Sequence, residues 1–242
     1  MTESLSMQRR EELKNNYLEI KRRVKEASQK ADRDPSKIKI MAVTKTMPAE
    51  DINFIIEEGI TLFGENRVQE LMDKQENLLP CEAHFIGTLQ RNKVKYLIDR
   101  VSVIESVGSL SVLEEIEKRA AGKDKTMDIF LEVNIGGEEQ KSGFLPEEID
   151  SVLEKIREMK HVFLRGLMTV PPICETSEEI SRYFAKMSQL FIDNRSKKSD
   201  NIDIAELSMG MSHDYEIAIA HGATIVRVGT ALFGKRNYTV KD

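Results

Sequence analysis

Short apolar runs alternate with amphipathic segments along almost the whole chain, and this alternation is what most constrains the fold. A short apolar run bounded by turn residues is typical of a buried strand, whereas the segments between the runs show the 3.6-residue period of a helix. A helix between two strands returns the chain to the same end of the sheet, so successive strands run parallel. Eight strand candidates can be counted, at residues 38–43, 61–63, 83–87, 101–105, 128–134, 162–168, 204–208 and 224–228.

Eight strand–helix units in 242 residues predict an α/β fold, a (β/α)8 TIM barrel. A doubly wound open sheet is the alternative. No linker, change of composition or low-complexity segment divides the chain. We therefore expect one domain over residues 1–242, with the barrel at about 37–234.

An additional helix is predicted before the first strand, at residues 7–32. Its apolar residues recur at steps of three and four and form one stripe on a charged helix: Leu13, Tyr17, Ile20, Val24 and Ala27. Because it precedes the first strand, we expect this helix to pack on the outside of the barrel. Further helices are predicted at 49–58 and 65–77, and after the third strand, where Val94, Leu97 and Ile98 are apolar.

Composition excludes several classes of protein. The net charge of −5 leaves no basic excess to neutralise nucleic-acid phosphates. No apolar run approaches the roughly 18 residues that a membrane-spanning helix needs, and the N-terminus has no apolar signal core, so we expect a cytoplasmic protein. Cys81, Cys174 and the four histidines are scattered singly, which predicts neither a disulfide framework nor a metal site.

The first candidate site residue is Lys45, which follows the first predicted strand and precedes Pro48, where a helix begins. Barrel enzymes place their active sites at the carboxyl ends of the strands. A single lysine at that position can form a Schiff base with a carbonyl compound. The alternative is a solvated loop lysine, which is the commoner environment for this residue.

The ends of the seventh and eighth strands predict an anion site. Ser208 to Ser212 form a short turn of small and hydroxylated residues, and Gly229-Thr230 form another. Backbone N–H groups and hydroxyls at such positions bind anions, and barrels often hold phosphate at these two loops. The alternatives are that Ser212 only caps the next helix and that Gly229 only forms a turn.

Arg227 stands two residues before Gly229, at the end of the eighth strand. It forms either a surface salt bridge or a fixed cation aimed into the barrel mouth. An amine, a phosphate cradle and an arginine between them are the groups that pyridoxal 5′-phosphate needs for its aldehyde, its phosphate and its ring nitrogen. A Schiff-base aldolase acting on a sugar phosphate shares the first two groups and stays open.

Longer motifs resemble the pyridoxal phosphate homeostasis proteins, which are similar to the N-terminal barrel of alanine racemase. The matching segments run from Ala42 to Gly234 and include residues 42–46, 64–66, 84–93, 133–134, 141–143, 165–168, 207–214 and 226–234. One position departs from the family, which often has an aromatic residue where this chain has Arg67. Glu138 and Lys141 match the family's pattern, and we expect them to lie in a solvated loop.

The resemblance implies a role for each candidate residue. Lys45 would carry pyridoxal 5′-phosphate as a covalent aldimine, and Arg227 would face the pyridine nitrogen, which its charge would keep unprotonated. Asn66 would lie beside the ring. The phosphate would be held by Ser208, Met209 through its backbone, Ser212, Gly229 and Thr230.

The resemblance also implies a protein that binds the cofactor without catalysis and serves pyridoxal phosphate homeostasis, through buffering or delivery to pyridoxal phosphate-dependent apoenzymes. An amino-acid racemase is the alternative. Racemisation needs two bases, and the racemase's second base comes from a further domain, whereas this chain stops at Asp242 with only Tyr238 in its tail. We therefore expect a carrier without catalytic residues, and a monomer.

Overall fold

The eight predicted strands close into one barrel. This computed structural model describes residues 5–234. All strands run parallel, each pairs with the next in the chain, and the eighth pairs with the first. The closed sheet confirms the TIM-barrel prediction over the open sheet. The strands are β1 (Lys39–Val43), β2 (Leu62–Glu65), β3 (Glu82–Phe85), β4 (Val103–Val107), β5 (Met127–Glu132), β6 (Val162–Met168), β7 (Ile202–Ser208) and β8 (Ile225–Val228).

Helices surround the barrel, and most of them connect successive strands. The α-helices are α1 (Met7–Lys30), α2 (Ala49–Glu57), α3 (Val68–Lys74), α4 (Leu110–Ala121), α5 (Ile149–Arg157), α6 (Ser177–Asn194), α7 (Tyr215–Ala220) and α8 (Thr230–Phe233). Short 3₁₀ helices add Pro35–Lys37, Gln75–Asn77, Arg91–Tyr96 and Pro146–Glu148. None of the helices within residues 5–234 is both long and apolar enough to cross a membrane.

The predicted helix after β3 is present, and it is a 3₁₀ helix. It spans Arg91–Tyr96, and no side chain caps its start at Gln90. The predicted apolar residues Val94, Leu97 and Ile98 are nevertheless buried. A single apolar turn covers this part of the sheet, so the tighter and less regular helix suffices to carry the chain to β4.

Strand alternation divides the core into two layers. Side chains of Met41, Leu62, Val103, Phe130, Met168 and Ile225 form one cluster inside the barrel. Their chain neighbours, such as Ala42 and Phe63, belong to the larger cluster between the sheet and the helices. Successive residues of a strand point to opposite faces, so one apolar run supplies both layers.

The predicted apolar stripe of α1 is confirmed, because all five of its residues are buried. Burying each of the larger aliphatic side chains, Leu13, Ile20 and Val24, contributes about 1.5–3 kcal/mol. Three side-chain hydrogen bonds then tie α1 to both ends of the barrel: Tyr17 Oη to Gly59 O (3.1 Å), Asn16 Nδ2 to Leu232 O (3.0 Å) and Arg9 Nη2 to Phe233 O (3.0 Å). The helix therefore packs across the seam where β8 meets β1.

Candidate cofactor site

The candidate residues follow four adjacent strands at one end of the barrel. Asn66 follows β2 and Lys45 follows β1, and these strands pair through Val43 and Gly64. β8, which precedes Gly229, pairs with β1, and β7 pairs with β8 through Ser208. Since the strands are parallel, all the candidate residues lie at the carboxyl end of the barrel. This arc of the rim, from β7 to β2, is called the barrel mouth below.

Lys45 combines a fixed backbone with an unpaired amine. Thr46, directly after it, has a left-handed backbone (φ +64°), and its N–H donates to Glu70 Oε2 at 2.7 Å. A left-handed residue other than glycine costs about 1 kcal/mol, so this bond helps to hold a strained turn. The Lys45 side chain is half-buried, and its amine has no hydrogen-bond or ion-pair partner within residues 5–234.

Glu65 braces this turn from inside the structure. Its side chain is fully buried. One carboxylate oxygen accepts from the N–H of Asn66 (2.8 Å), and the other accepts from Thr44 Oγ1 (3.2 Å). Lys74 of α3 forms an ion pair with Glu65 and donates to Thr44 O at 2.8 Å. The residues beside Lys45 and Asn66 are therefore held by a single buried charge pair.

Asn66 is held from a second direction by Gly87. A Cβ atom at Gly87 would lie 2.0 Å from Asn66 O, so only glycine permits this close approach of two loops. The side-chain Oδ1 of Asn66 is buried and has no hydrogen-bond partner among the described residues. A buried acceptor without a donor is costly, which suits a position that contacts a ligand.

The turn from Ser208 to Ser212 folds across onto the end of β8. Gly210 makes the bend with a left-handed backbone (φ +90°), and a Cβ there would lie 2.5 Å from Ala218 Cβ. Ser212 Oγ then accepts from the N–H groups of Gly229 and Ala231, both at 3.2 Å. The turns after β7 and β8 are thus joined into one cradle, hereafter the Ser212 cradle (residues 208–212 and 229–231).

The alternative considered from the sequence, that Ser212 caps the helix after β7, is wrong. That helix, α7, begins at Tyr215 with Asp214 as its N-cap residue. Ser212 instead caps α8, which lies 17 residues further along the chain. The closed barrel places β7 and β8 side by side, and this proximity is not visible in the local sequence.

Not every N–H of the Ser212 cradle is available for an anion. The Met209 N–H donates to Ile225 O (3.2 Å), and that of Gly229 donates to Ser212 Oγ. Within the described chain, the N–H groups of Ser212 and Thr230 have no acceptor. The backbone role that the resemblance implies for Met209 stays a prediction.

Arg227 is a buried cation without a contacting carboxylate. Its side chain is 4% exposed and donates to Ser208 O (2.8 Å), Ser208 Oγ (2.9 Å) and Thr169 O (2.7 Å). The surface salt bridge considered from the sequence is therefore wrong. Burial lowers the pKa of Arg227, and the carboxylates of Glu105, Asp214 and Glu132 oppose that shift.

The pKa values of two of these carboxyl groups are also shifted. Burial raises the pKa of Asp214 and of Glu132, although Arg227 acts in the opposite direction on both. Ser142 Oγ also donates to Glu132, at 3.1 Å. Two carboxyls with raised pKa near a buried arginine indicate a weakly hydrated site.

The described residues contain no group of three or more histidine, cysteine, aspartate or glutamate side chains arranged to hold a metal ion.

A cleft of about 310 Å³ adjoins the barrel mouth and is lined in part by Asn66, Arg67 and Lys93. Lys141 forms an ion pair with Glu138 at 2.5 Å and donates to Pro171 O at 3.1 Å. These two side chains are therefore half-buried, although Gly137, Glu139, Gln140 and Ser142 of the same loop are exposed.

Sequence reasoning missed several residues that shape the site. Glu65 stands inside a quoted motif, yet only its burial and its four contacts reveal its role. Lys74 resembles a solvated helix lysine, and nothing in the sequence indicates that its side chain is 11% exposed. Thr169 contributes a backbone carbonyl, which carries no residue-type signal.

Residues 13–237 match the family described as Alanine racemase, N-terminal domain. Among curated relatives, the pyridoxal phosphate homeostasis protein of Aquifex aeolicus is 44% identical over 218 residues, which cover 89% of this chain and 95% of the relative. The protein of the same name from Pseudomonas aeruginosa is 39% identical, with 92% and 95% covered.

Solved structures agree with this comparison. A protein from Bifidobacterium adolescentis superposes with a TM-score of 0.91 at 34% identity, and 96% of this chain and 98% of that one are covered. PipY of Synechococcus elongatus, solved with PLP bound, gives 0.75 at 30% identity, with 88% and 100% covered. Alanine racemase of Clostridium difficile, at 17% identity and a TM-score of 0.69, shows the shared barrel alone; 95% of this chain aligns with 58% of the racemase. The chain therefore belongs to the pyridoxal phosphate homeostasis protein family, whose barrel is that of the alanine racemase N-terminal domain.

Proposed function

We propose that this protein binds pyridoxal 5′-phosphate at the barrel mouth and serves cofactor homeostasis, by buffering or delivering it, without catalysing a reaction. The observation that carries the proposal is the unpaired amine of Lys45 on the same strand ends as the Ser212 cradle and Arg227. The relatives named for this homeostasis and the PLP-bound PipY structure support it.

The residues present fit the cofactor group by group. Lys45 supplies the amine that bonds the aldehyde carbon, and the Ser212 and Thr230 N–H groups supply free donors for the phosphate. Ser208, Met209 and Gly229 would line the phosphate site, with the Met209 and Gly229 N–H groups engaged elsewhere, and the orphaned Oδ1 of Asn66 would be an acceptor beside the ring. When bound, pyridoxal phosphate supplies an electrophilic carbonyl and an electron-withdrawing ring.

Arg227 limits what that ring can do. A guanidinium facing the ring nitrogen disfavours a second positive charge there, so the nitrogen stays unprotonated. An unprotonated pyridine ring is a weaker electron sink, so it favours removal of a proton from a bound amino acid less than a protonated ring does. The buried position of Arg227 strengthens this effect, because a low dielectric enlarges electrostatic interactions.

The positions of the tyrosines exclude most of them as the second base of a racemase. Racemisation needs a second base opposite the lysine. Among the described tyrosines, Tyr17 and Tyr183 lie on α1 and α6 and Tyr215 is buried, whereas Tyr96 lines the cleft beside Asn66. Tyr238 lies outside the described residues. A carrier needs only the amine, the phosphate donors and the ring contacts.

Covalent trapping tests the binding site. Pyridoxal phosphate added to the purified protein should give a yellow adduct that borohydride fixes, and peptide mass spectrometry should place it on Lys45. Lys45→Ala should lose this adduct, whereas Lys14→Ala should keep it, because Lys14 lies on the exposed face of α1 in an ion pair with Glu58. A wild-type protein without an adduct on Lys45 would refute the proposal and would favour a Schiff-base aldolase.

Two further assays separate a carrier from a racemase. The loaded protein incubated with single-enantiomer alanine should leave the enantiomer unchanged; sustained D/L interconversion would contradict the carrier proposal. Cofactor transfer to an apoenzyme should be at least as fast from the loaded protein as from free pyridoxal phosphate. The monomeric state and the cytoplasmic location stay predictions, which sedimentation velocity and cell fractionation test.

A further inference from the structure

A charged pair lies inside the barrel, apart from the residues proposed to hold the cofactor. His84 of β3 and Glu105 of β4 are both fully buried. His84 Nδ1 lies 2.6 Å from Glu105 Oε1, and His84 Nε2 lies 3.1 Å from Glu82 Oε1. His84 opens the longest motif of the chain, yet none of the cofactor contacts uses it.

The surroundings of this pair are apolar. The ring of Phe130 meets His84 edge-on with centroids 6.1 Å apart, and Met41, Leu62 and Val103 complete the inner layer. Burial alone would lower the pKa of His84, but its hydrogen bonds with Glu105 and Glu82 raise it to about 9. At neutral pH a protonated imidazole therefore faces two carboxylates, one of them at the barrel centre.

The second carboxylate oxygen of Glu105, Oε2, is buried and has no hydrogen-bond partner among the described residues. A buried carboxylate with a single partner is costly in an apolar core, and a second cation nearby reduces that cost. Packing alone would be served as well by an apolar side chain of similar volume.

The unbalanced charge on the opposite side is Arg227. Its three hydrogen bonds go to neutral oxygens, so no contacting carboxylate neutralises it. Of the carboxylates that act on it through space, Glu105 is the strongest. Glu105 and Arg227 each follow an inner-layer residue by two positions, Val103 and Ile225, so both face the barrel interior, from β4 and β8.

Other charged groups reach the pair more weakly or serve a different partner. Lys39 of β1 pairs with Glu206 and also acts on Glu105 through space, and Arg165 of β6 pairs with Asp128. Glu132 of β5 and Asp214 lie nearer the mouth, and burial raises the pKa of both. Among the carboxylates that act on Arg227, only Glu105 is completely buried and held by a cation of its own.

We propose that Glu105, held by His84, is a positioning residue for the cofactor site: it supplies the counter-charge that stabilises the buried guanidinium of Arg227 at the barrel mouth. This inference rests on the proposed function, because it gives the pair a role toward the bound cofactor. The competing account is that the two residues only fill the barrel.

The test compares Glu105→Gln with Glu115→Gln. Gln keeps the volume of Glu105 and removes its charge. Glu115 is a matched control, since it is also buried and ion-paired, with Arg91 and Arg119, but lies on α4 outside the barrel. Both variants should lose stability, so stability alone does not distinguish the two accounts.

The distinguishing readout is the pH dependence of the absorption of bound pyridoxal phosphate. Removing a negative charge from the interior disfavours the protonated form of the nitrogen through which Lys45 holds the cofactor. The midpoint should therefore fall by about 0.5–1 pH unit in Glu105→Gln, a three- to tenfold loss of proton affinity. Glu115→Gln should leave the midpoint within about 0.2 unit of wild type. Glu105→Asp keeps the charge, so its midpoint should lie close to that of wild type.

A midpoint unchanged in Glu105→Gln would overturn the proposal and leave a packing role. If that variant fails to fold, the double variant His84→Gln/Glu105→Gln replaces the ion pair with a neutral amide pair. Its midpoint should still fall, but by less, because the lost positive charge of His84 offsets part of the lost negative charge of Glu105. NMR titration of His84 in cofactor-free protein adds a separate readout. His84 should titrate near pH 9 in wild type and lower in Glu105→Gln, and an unchanged titration contradicts the coupling.

Failure of the proposed function looks different. A wild-type protein that forms no adduct with pyridoxal phosphate refutes that function and this inference together. An adduct with normal affinity, but with no response to Glu105→Gln, refutes this inference alone.

Discussion

Replacing Lys74 with methionine tests the brace beside Lys45. Lys74 is 11% exposed, and its partner Glu65 is fully buried. Methionine matches the lysine stem in length and removes the ammonium group. Glu65 then keeps its hydrogen bonds from Thr44 and from the N–H of Asn66, but loses its only cation within residues 5–234.

The magnitude follows from two losses. Breaking a buried ion pair by removing one partner costs about 3–5 kcal/mol, because the remaining charge is uncompensated. The 2.8 Å bond from Lys74 to Thr44 O adds roughly 1 kcal/mol. Partial relaxation of Glu65 toward water reduces the sum, so we expect the free energy of unfolding to fall by about 3–4 kcal/mol.

Urea denaturation followed by circular dichroism measures this change. Lys14→Met is the matched control: Lys14 pairs with Glu58 at 3.0 Å, but is 52% exposed, so its loss should cost less than about 1 kcal/mol. In the double variant Lys74→Met/Glu65→Gln, the neutral amide should recover at least about 1 kcal/mol. A loss below about 1 kcal/mol in Lys74→Met would refute the argument that Glu65 depends on this cation.

Three further predictions follow from the same site. The pKa of His84 is raised to about 9, so its ion pair stabilises the protein fully below a pH of about 6.5. This contribution, up to roughly 3 kcal/mol, is lost as the pH rises through about 9. Urea denaturation at pH values from 6 to 10 should show this loss of stability, and His84→Gln should abolish the pH dependence. Ser212→Ala removes the acceptor of two N–H groups, so it should lower stability in thermal unfolding by about 1 kcal/mol and weaken the binding of pyridoxal phosphate. An unchanged affinity for pyridoxal phosphate would exclude the Ser212 cradle from phosphate binding. Gly87→Ala places a Cβ 2.0 Å from Asn66 O and should lower the free energy of unfolding by about 3 kcal/mol or more. Gly137→Ala, with open space around its Cβ, should lower it only by the roughly 1 kcal/mol of its left-handed backbone. Equal losses of stability in the two variants would show that the contact with Asn66 does not decide the cost.

The strands were predictable because their signal is local. Apolar runs of strand length separated by helical periods fix the order and direction of the strands, and direction fixes which end carries the site. Lys45 and Arg227 could therefore be assigned to the barrel mouth from the sequence. The 3₁₀ helix at Arg91–Tyr96 could not be predicted, because a single buried apolar turn fits either helix type.

The contacts across strands were not predictable, because barrel closure creates them. Ser212 caps α8 over a separation of 17 residues, and Arg227 reaches Thr169 over 58. The same closure buries Lys74 against Glu65 and sets His84 against Glu105.

The sequence by itself determined the barrel, the end that carries the site and the residue types that meet there, because periodicity and strand direction are properties of neighbouring residues. Only the tertiary structure decided which charges lose their water and which partners replace it. Burial and partner choice depend on groups far apart in the chain, and these set the energies of Glu65, Glu105 and Arg227.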